Sequence, residues 1–138
     1  NFALLCEINK MVEEGFYYTA GKIRSVPVTI GGTKWKPDLP IESIIKEELE
    51  VIFNKKLNDV DRAIELLLYT MKKQIFIDGN KRTAVIYSNH YLISKGKGII
   101  AIPAELTQQF KDLLIPYYEG KDEKNIKQFI REKCYIAI

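Results

Sequence analysis

Histidine and cysteine are nearly missing from this chain: His90 is the one histidine, and Cys6 and Cys134 stand near opposite ends. Zinc sites need closely spaced thiolate and imidazole ligands, so no zinc centre is expected, and two distant cysteines do not make a disulfide framework. They read as small core residues in a reducing compartment. No apolar run approaches the roughly 18 residues of a membrane span, and nothing at the start reads as a signal peptide. A cytoplasmic protein with no membrane partner is therefore expected. An excess of one charge is lacking too. The net charge of +3 is too mild to argue for nucleic acid, and a basic groove for a nucleotide would account for it. Repeats and low-complexity tracts are absent, and convincing strand signals are confined to one short stretch.

What is present suits one globular domain over residues 1–138, with 46% apolar content to fill a core. The chain begins at Asn1 without a methionine and is in a helical pattern by Leu4, so it is expected to be a piece of something longer. Leu4, Leu5, Ile8, Met11 and Val12 recur at helical spacing until Gly15, and the following Phe16-Tyr17-Tyr18 reads as core or rim packing. Ile41, Ile44, Ile45, Leu49, Ile52 and Phe53 mark a second apolar face. After the cap signal Asn58-Asp59, a third helix carries Val60, Ala63, Ile64, Leu67, Leu68 and Met71, rich enough in apolar residues to be central. A fourth runs from Asn80 to about Lys95, stopped by Gly96. Ile99 to Ile102 reads as an extended link, and Pro103 opens a fifth helix, expected to be interrupted at Pro116. Asp122 is a plausible cap for a last helix reaching about Tyr135.

The strand-like stretch lies between the first two helices. Val26, Val28 and Ile30 alternate, Gly31-Gly32 follows, and Thr33 to Lys36 includes Trp35, which together predict a hairpin. Pro27 confines it to a sheet edge, and a free edge is a place for an incoming extended segment to add a strand. The alternative is a surface hairpin that packs Trp35 onto the helices.

The densest signal is Gln74-Ile75-Phe76-Ile77-Asp78-Gly79-Asn80-Lys81-Arg82-Thr83-Ala84, where one helix pattern breaks into a polar loop and another begins. A helix that starts at Gly79-Asn80 aims several backbone N–H groups one way, and its dipole adds partial positive charge. Lys81 and Arg82 in that first turn conflict with the dipole unless an anion is present. Phosphate binding follows, with Asp78 placed to hold a divalent cation against the phosphates. The competing reading is a plain helix-loop-helix turn, with Asn80 or Asp78 as N-cap and two solvated basic residues.

This segment resembles the signature of the Fic (filamentation-induced-by-cyclic-AMP) family, His-x-Phe-x-Asp/Glu-Gly-Asn-Gly-Arg-x-x-Arg. Phe76, Asp78, Gly79, Asn80 and Arg82 match it. The family's catalytic histidine falls on Gln74, its second glycine on Lys81 and its last arginine on Val85. Lysine followed by Arg-Thr-Ala is similar to the death-on-curing toxin branch, which transfers phosphate rather than AMP. Gly21-Lys22-Ile23-Arg24 resembles the family's lead-in to its flap, a hairpin that would span about Val28 to Lys36.

The resemblance implies an all-α, Fic-type bundle of about six helices with one β-hairpin, the flap. It implies ATP and Mg²⁺ as cofactors, the metal on Asp78, phosphate on Gly79, Asn80, Lys81 and Arg82, and a packing anchor at Phe76. A target protein, unidentified, would dock on Ile30, Gly31, Gly32, Thr33, Lys34 and Trp35. The implied reaction is AMP transfer from ATP to a Ser, Thr or Tyr hydroxyl, weakened because Gln74 cannot take a proton; losing a general base costs about 10²- to 10⁴-fold. The alternatives are a non-catalytic nucleotide- or protein-binding module and a death-on-curing-type phosphotransferase. His90 does not replace the missing base: at about 1.5 Å per residue it lies more than two helical turns from Arg82. The family's inhibitory signature, Ser/Thr-x-x-x-Glu-Gly/Asn, has no clear match, so an inhibitory helix or antitoxin is expected outside this chain.

Overall fold

The computed structural model describes residues 1–16 and 18–138. Among them are six α-helices: α1 (Phe2–Glu13), α2 (Glu42–Asn54), α3 (Asp59–Lys73), α4 (Asn80–Ser94), α5 (Thr107–Tyr118) and α6 (Lys124–Phe129). Two short strands, β1 (Ile99–Ile100) and β2 (Tyr135–Ile136), pair antiparallel, with Ile99 opposite Ile136 and Ile100 opposite Tyr135. The all-α bundle with a single antiparallel strand pair matches the expected class.

Helix α3 is central because it is apolar on two sides. Leu67, Leu68 and Met71 join Phe110 and Leu114 of α5 and Phe129 of α6 in one cluster. Leu66, one position earlier, joins Phe2 and Leu5 of α1 and Ile45 and Leu49 of α2 in the other. Its ends are set by chemistry: the Asn58 side chain accepts from the Asp61 N–H at 2.8 Å, acids occupy its first turn, and Lys72 and Lys73 its last. Helix α4 packs most extensively against α3, and its buried residues mix small and polar side chains (Asn80, Thr83, Ala84 and Ser88) with the larger Tyr87 and Leu92. Asn89 on α4 continues the strand pair sideways, its amide exchanging hydrogen bonds with the Ile100 backbone at 2.7 and 2.8 Å.

Several local expectations are corrected. The strand pair is β1 with β2; residues 28–36 turn at Gly31-Gly32 without forming strands. The Trp35 N–H is taken by the Thr33 hydroxyl at 3.1 Å, and the indole stacks on Tyr118 with ring centroids 5.5 Å apart, so the segment is held by side chains instead of a ladder. Helix α5 continues through Pro116, since the carbonyl that loses its N–H partner belongs to exposed Asp112, where water can replace it. Met11 is exposed, because the buried face of α1 runs through Phe2, Leu5, Ile8, Asn9 and Glu13. Phe16 and Tyr18 are exposed instead of packed, lying on the loop past the end of α1; Tyr17 is outside the described residues. The last helix is shorter than expected: after α6 it widens into a π-helical turn, Ile130–Cys134, and Tyr135 enters β2. Its N-cap is Glu123, with no side-chain cap bond, and not Asp122, which lies one residue earlier and accepts from the Asn125 N–H at 3.2 Å.

Arg62 joins α2 to α3 and α4. Its guanidinium donates to the carbonyls of Ile52 and Phe53 in the last turn of α2, to those of Lys55 and Leu57 just beyond it, and to the Tyr91 hydroxyl. Arg62→Ala removes all of these bonds at once and should lower the unfolding free energy by about 3 kcal/mol in urea titration. Arg62→Lys should recover little of it, since one ammonium cannot span the same carbonyls. A loss under about 0.5 kcal/mol in Arg62→Ala, the range of an ordinary surface change, would contradict this role.

Candidate functional site

The site is the turn between α3 and α4. Helix α3 ends because Gln74 adopts the left-handed conformation (φ 47°), the one non-glycine residue with positive φ among those described. Arg24, only 3% exposed, fixes this end: its Nε donates to the Gln74 carbonyl, and its backbone N–H donates to the Ile75 carbonyl at 2.9 Å. The remaining guanidinium donors reach the carbonyls of Val26 (3.0 Å) and Asp38 (2.8 Å). One buried arginine therefore ties both feet of the 28–36 segment to the loop, and burial lowers its pKa from the ordinary arginine range.

Asn80 shapes the loop from within. Its Oδ1 accepts from the Phe76 N–H at 3.0 Å, while Nδ2 donates to the Phe76 carbonyl at 2.8 Å and to Gln74 Oε1 at 3.2 Å. That side chain is thus spent on the loop, and neither Asn80 nor Asp78 is the N-cap of α4; Gly79 is, with no side-chain cap bond. Asn9, in the middle of α1 and 1% exposed, supports the loop from below. It donates to the Asp78 carbonyl (3.0 Å) and the Thr83 hydroxyl (3.2 Å) and accepts from the Gly21 N–H (2.9 Å). Gly21 comes so close to α1 that a Cβ there would lie 2.7 Å from the Lys10 Cβ.

At the start of α4, among the described residues, no protein group accepts from the backbone N–H of Asn80, Lys81 or Arg82; the first helical bond is from Thr83 N–H to the Gly79 carbonyl. Beside them the Asp78 side chain is exposed and makes no hydrogen bond or ion pair among the described residues. Gly79 has φ 72° and no room for a side chain, since a Cβ would stand 2.2 Å from Glu13 Oε1. That Glu13 carboxylate, 2% exposed, accepts from Arg82 Nη2 at 2.7 Å. The Arg82 side chain keeps 65% exposure, so the rest of its fork faces solvent.

A cleft of about 360 Å³ covers this turn, bringing Gln74 and Asp78 to Arg82 together with Ile30 and Gly31. Val28 and Thr29 of the expected flap, Ile77 of the loop and Tyr118, which the sequence did not single out, complete its lining. Tyr118 is buried, its phenol pKa is raised by that burial, and its hydroxyl has no hydrogen-bond partner among the described residues. Gly32, Thr33, Lys34 and Trp35 do not line the cleft: Thr33 donates to the Glu119 carboxylate at 2.6 Å and Trp35 lies on Tyr118. His90 is exposed on α4, away from the cleft. Among the described residues no cluster of three His, Cys, Asp or Glu could hold a metal by itself.

The family model described as Fic/DOC family matches residues 1–92, which includes the whole turn and the first helical turns after it. The chain belongs to the Fic/DOC family. Its fold is shared with solved Fic structures. One is BepC, a VirB-translocated effector of Bartonella tribocorum with bound AMPPNP, at TM-score 0.78 and 15% identity, covering 100% of this chain and 75% of that one. Another is Fic-1 of C. elegans, at TM-score 0.74 and 21% identity, covering 95% of this chain and 38% of that one. In sequence, the chain is 32% identical over 72 residues to the long-chain-fatty-acid–CoA ligase ACSBG2 of Xenopus laevis. That match takes in 52% of this chain, which spans only 10% of the curated relative's length.

In this Fic chain, the residues that hold the turn but escaped the sequence reading are Asn9 and Glu13. Asn9 had a faint signal, an amide on the apolar face of a helix one position from Ile8. Glu13 had none. Replacing Asn9 by leucine, which keeps the branching but has no polar atoms, strands the Asp78 carbonyl and the Gly21 N–H and should cost about 2 kcal/mol. Hydrogen exchange of the bonded Phe76 and Thr83 amides should accelerate with it. Unchanged exchange in the loop would show that Asn9 does not support it.

Proposed function

We propose that the turn at the start of α4 is a nucleotide-binding site of the protein adenylyltransferase class, taking ATP with Mg²⁺ and acting slowly. The observation that carries this reading is the row of N–H groups of Asn80, Lys81 and Arg82 that have no acceptor among the described residues, at a cleft beside an Asp78 carboxylate that has no partner among them either. A helix N-terminus of this kind suits phosphate oxygens. The solved neighbour BepC carries AMPPNP, which supports the same ligand class. Asp78 suits Mg²⁺, which is commonly held by one or two carboxylates with phosphates and water completing its shell. Bound there, the ion would offset phosphate charge.

In the transfer, a hydroxyl oxygen of the target forms a bond to the α-phosphorus, the bond from that phosphorus to the α,β-bridging oxygen breaks, and pyrophosphate leaves. The hydroxyl proton must be accepted as this happens. Gln74 is placed at the rim of the cleft, but an amide takes no proton, so solvent must, and the step is slow. Residues 28–31, held over the cleft by Arg24, are positioned to present the target segment.

A non-catalytic binding module is the second reading, and the state of Gln74 favours it. The amide is used structurally, donating to the Met71 carbonyl at 2.6 Å and accepting from Asn80. Phosphate transfer of the death-on-curing kind is carried only by Lys81 in place of the family's glycine.

Two outcomes test the proposal. Calorimetric titration with ATP and Mg²⁺ should show at least about tenfold weaker binding in Arg82→Ala, from loss of charge-assisted bonds to phosphate. Because that change leaves Glu13 buried without its partner, the comparison is also made against Glu13→Gln, with and without Arg82→Ala. Equal affinities in both pairs would contradict the phosphate assignment. Gln74→His places an imidazole at the turn, and histidine tolerates the left-handed conformation better than most residues. With labelled ATP and Mg²⁺ it should transfer label to itself or to lysate proteins about 10²-fold or more above the parent, and Asp78→Ala should abolish the transfer. A folded, ATP-binding Gln74→His protein without transfer would favour the binding module.

A further inference from the structure

A second cavity, of about 470 Å³, shares Lys81 and Arg82 with the nucleotide cleft but is otherwise separate from it. It is bounded by Met71 of α3 and Phe110 of α5, both buried, with Val12 of α1 and Val85 of α4 beside them. Apolar side chains dominate it, and its volume lies within the range of roughly 300–1,000 Å³ typical of small-molecule sites. Three cationic side chains border it, and they are not equivalent. The charge of Arg82 is met by Glu13. Lys81 and Lys111 have no carboxylate within ion-pair distance among the described residues, and both line the groove.

An apolar groove bordered by two unneutralised ammonium groups matches a ligand with an apolar body and one anionic group. We propose that this groove binds a small amphipathic carboxylate, its methylene chain against Met71, Phe110, Val12 and Val85 and its carboxylate between the Lys81 and Lys111 ammonium groups. Partial burial and the neighbouring Lys111 charge both lower the Lys81 pKa, a conflict that a carboxylate would relieve. In the proposed nucleotide site the polyphosphate takes the backbone N–H groups of the α4 start and the Arg82 side chain, whereas the carboxylate takes the Lys81 and Lys111 ammonium groups. Binding of the carboxylate therefore does not depend on the nucleotide reading. Lys81 borders both spaces, so the two ligands would meet there.

The chain has two methionines, and only Met71 lines the groove; Met11 is 71% exposed and serves as an internal reference. With methyl-labelled methionine, sodium octanoate should shift the Met71 signal saturably while Met11 stays in place. In wild type, 1-octanol should bind at least tenfold more weakly than octanoate. The surface double variant Lys81→Gln/Lys111→Gln should bind octanoate at least tenfold more weakly than wild type. Equal binding of alcohol and carboxylate, unchanged octanoate affinity in the double variant, or a Met71 signal unmoved at millimolar octanoate would each overturn the proposal. So would a Met71 signal that moves on dilution of the protein alone, which would assign the groove to a second copy of the chain.

Discussion

The shape of the α3–α4 turn depends on one side-chain amide. Asn80 bonds both backbone groups of Phe76, which closes the loop upon itself and leaves the following N–H groups of α4 pointing outward. Phe76 is then carried into the core, 1% exposed, so the loop is anchored by apolar packing at its centre and by hydrogen bonds at its ends. Arg24 and Asn9 add bonds from elements 50 and 69 residues away in sequence. A helix start keeps its unfilled donors in one place without an acceptor only where the surrounding backbone is rigid. These polar staples supply that rigidity.

The electrostatics of the turn are mixed. Its backbone donors, Lys81 and the exposed part of Arg82 favour an anion, whereas Asp78 and Glu13 oppose one. Glu13 lies beside Gly79 and already uses one arm of Arg82. A phosphate entering here would share Arg82 with Glu13 unless the pair separates. The unpaired Asp78 becomes favourable once a divalent cation stands between it and the phosphates. In the proposed nucleotide site this balance favours a metal–nucleotide complex over a free anion.

Much of this was legible in the sequence where physics is local. Apolar periodicity located all six helices, and Asn58 was readable as a cap because a cap is decided within three residues of itself. The loop motif was readable for the same reason. Long-range pairings were not. The bond between Glu13 and Arg82 spans 69 residues, and neither residue's local pattern announces it. The strand pair escaped because each strand is two residues long and the partners are far apart in the chain. Conversely, the alternation at Val26, Val28 and Ile30 suggested strands that do not form, because Trp35 stacking on Tyr118 and the Thr33 contacts fix the segment by tertiary packing.

The most direct test follows the backbone amides at the start of α4 by nitrogen-resolved NMR during titration with ATP and Mg²⁺. Phosphate binding at this turn predicts large, saturable shifts of the Asn80, Lys81 and Arg82 amides, with those in α6 unmoved. Saturable binding that leaves these three amides in place would contradict it.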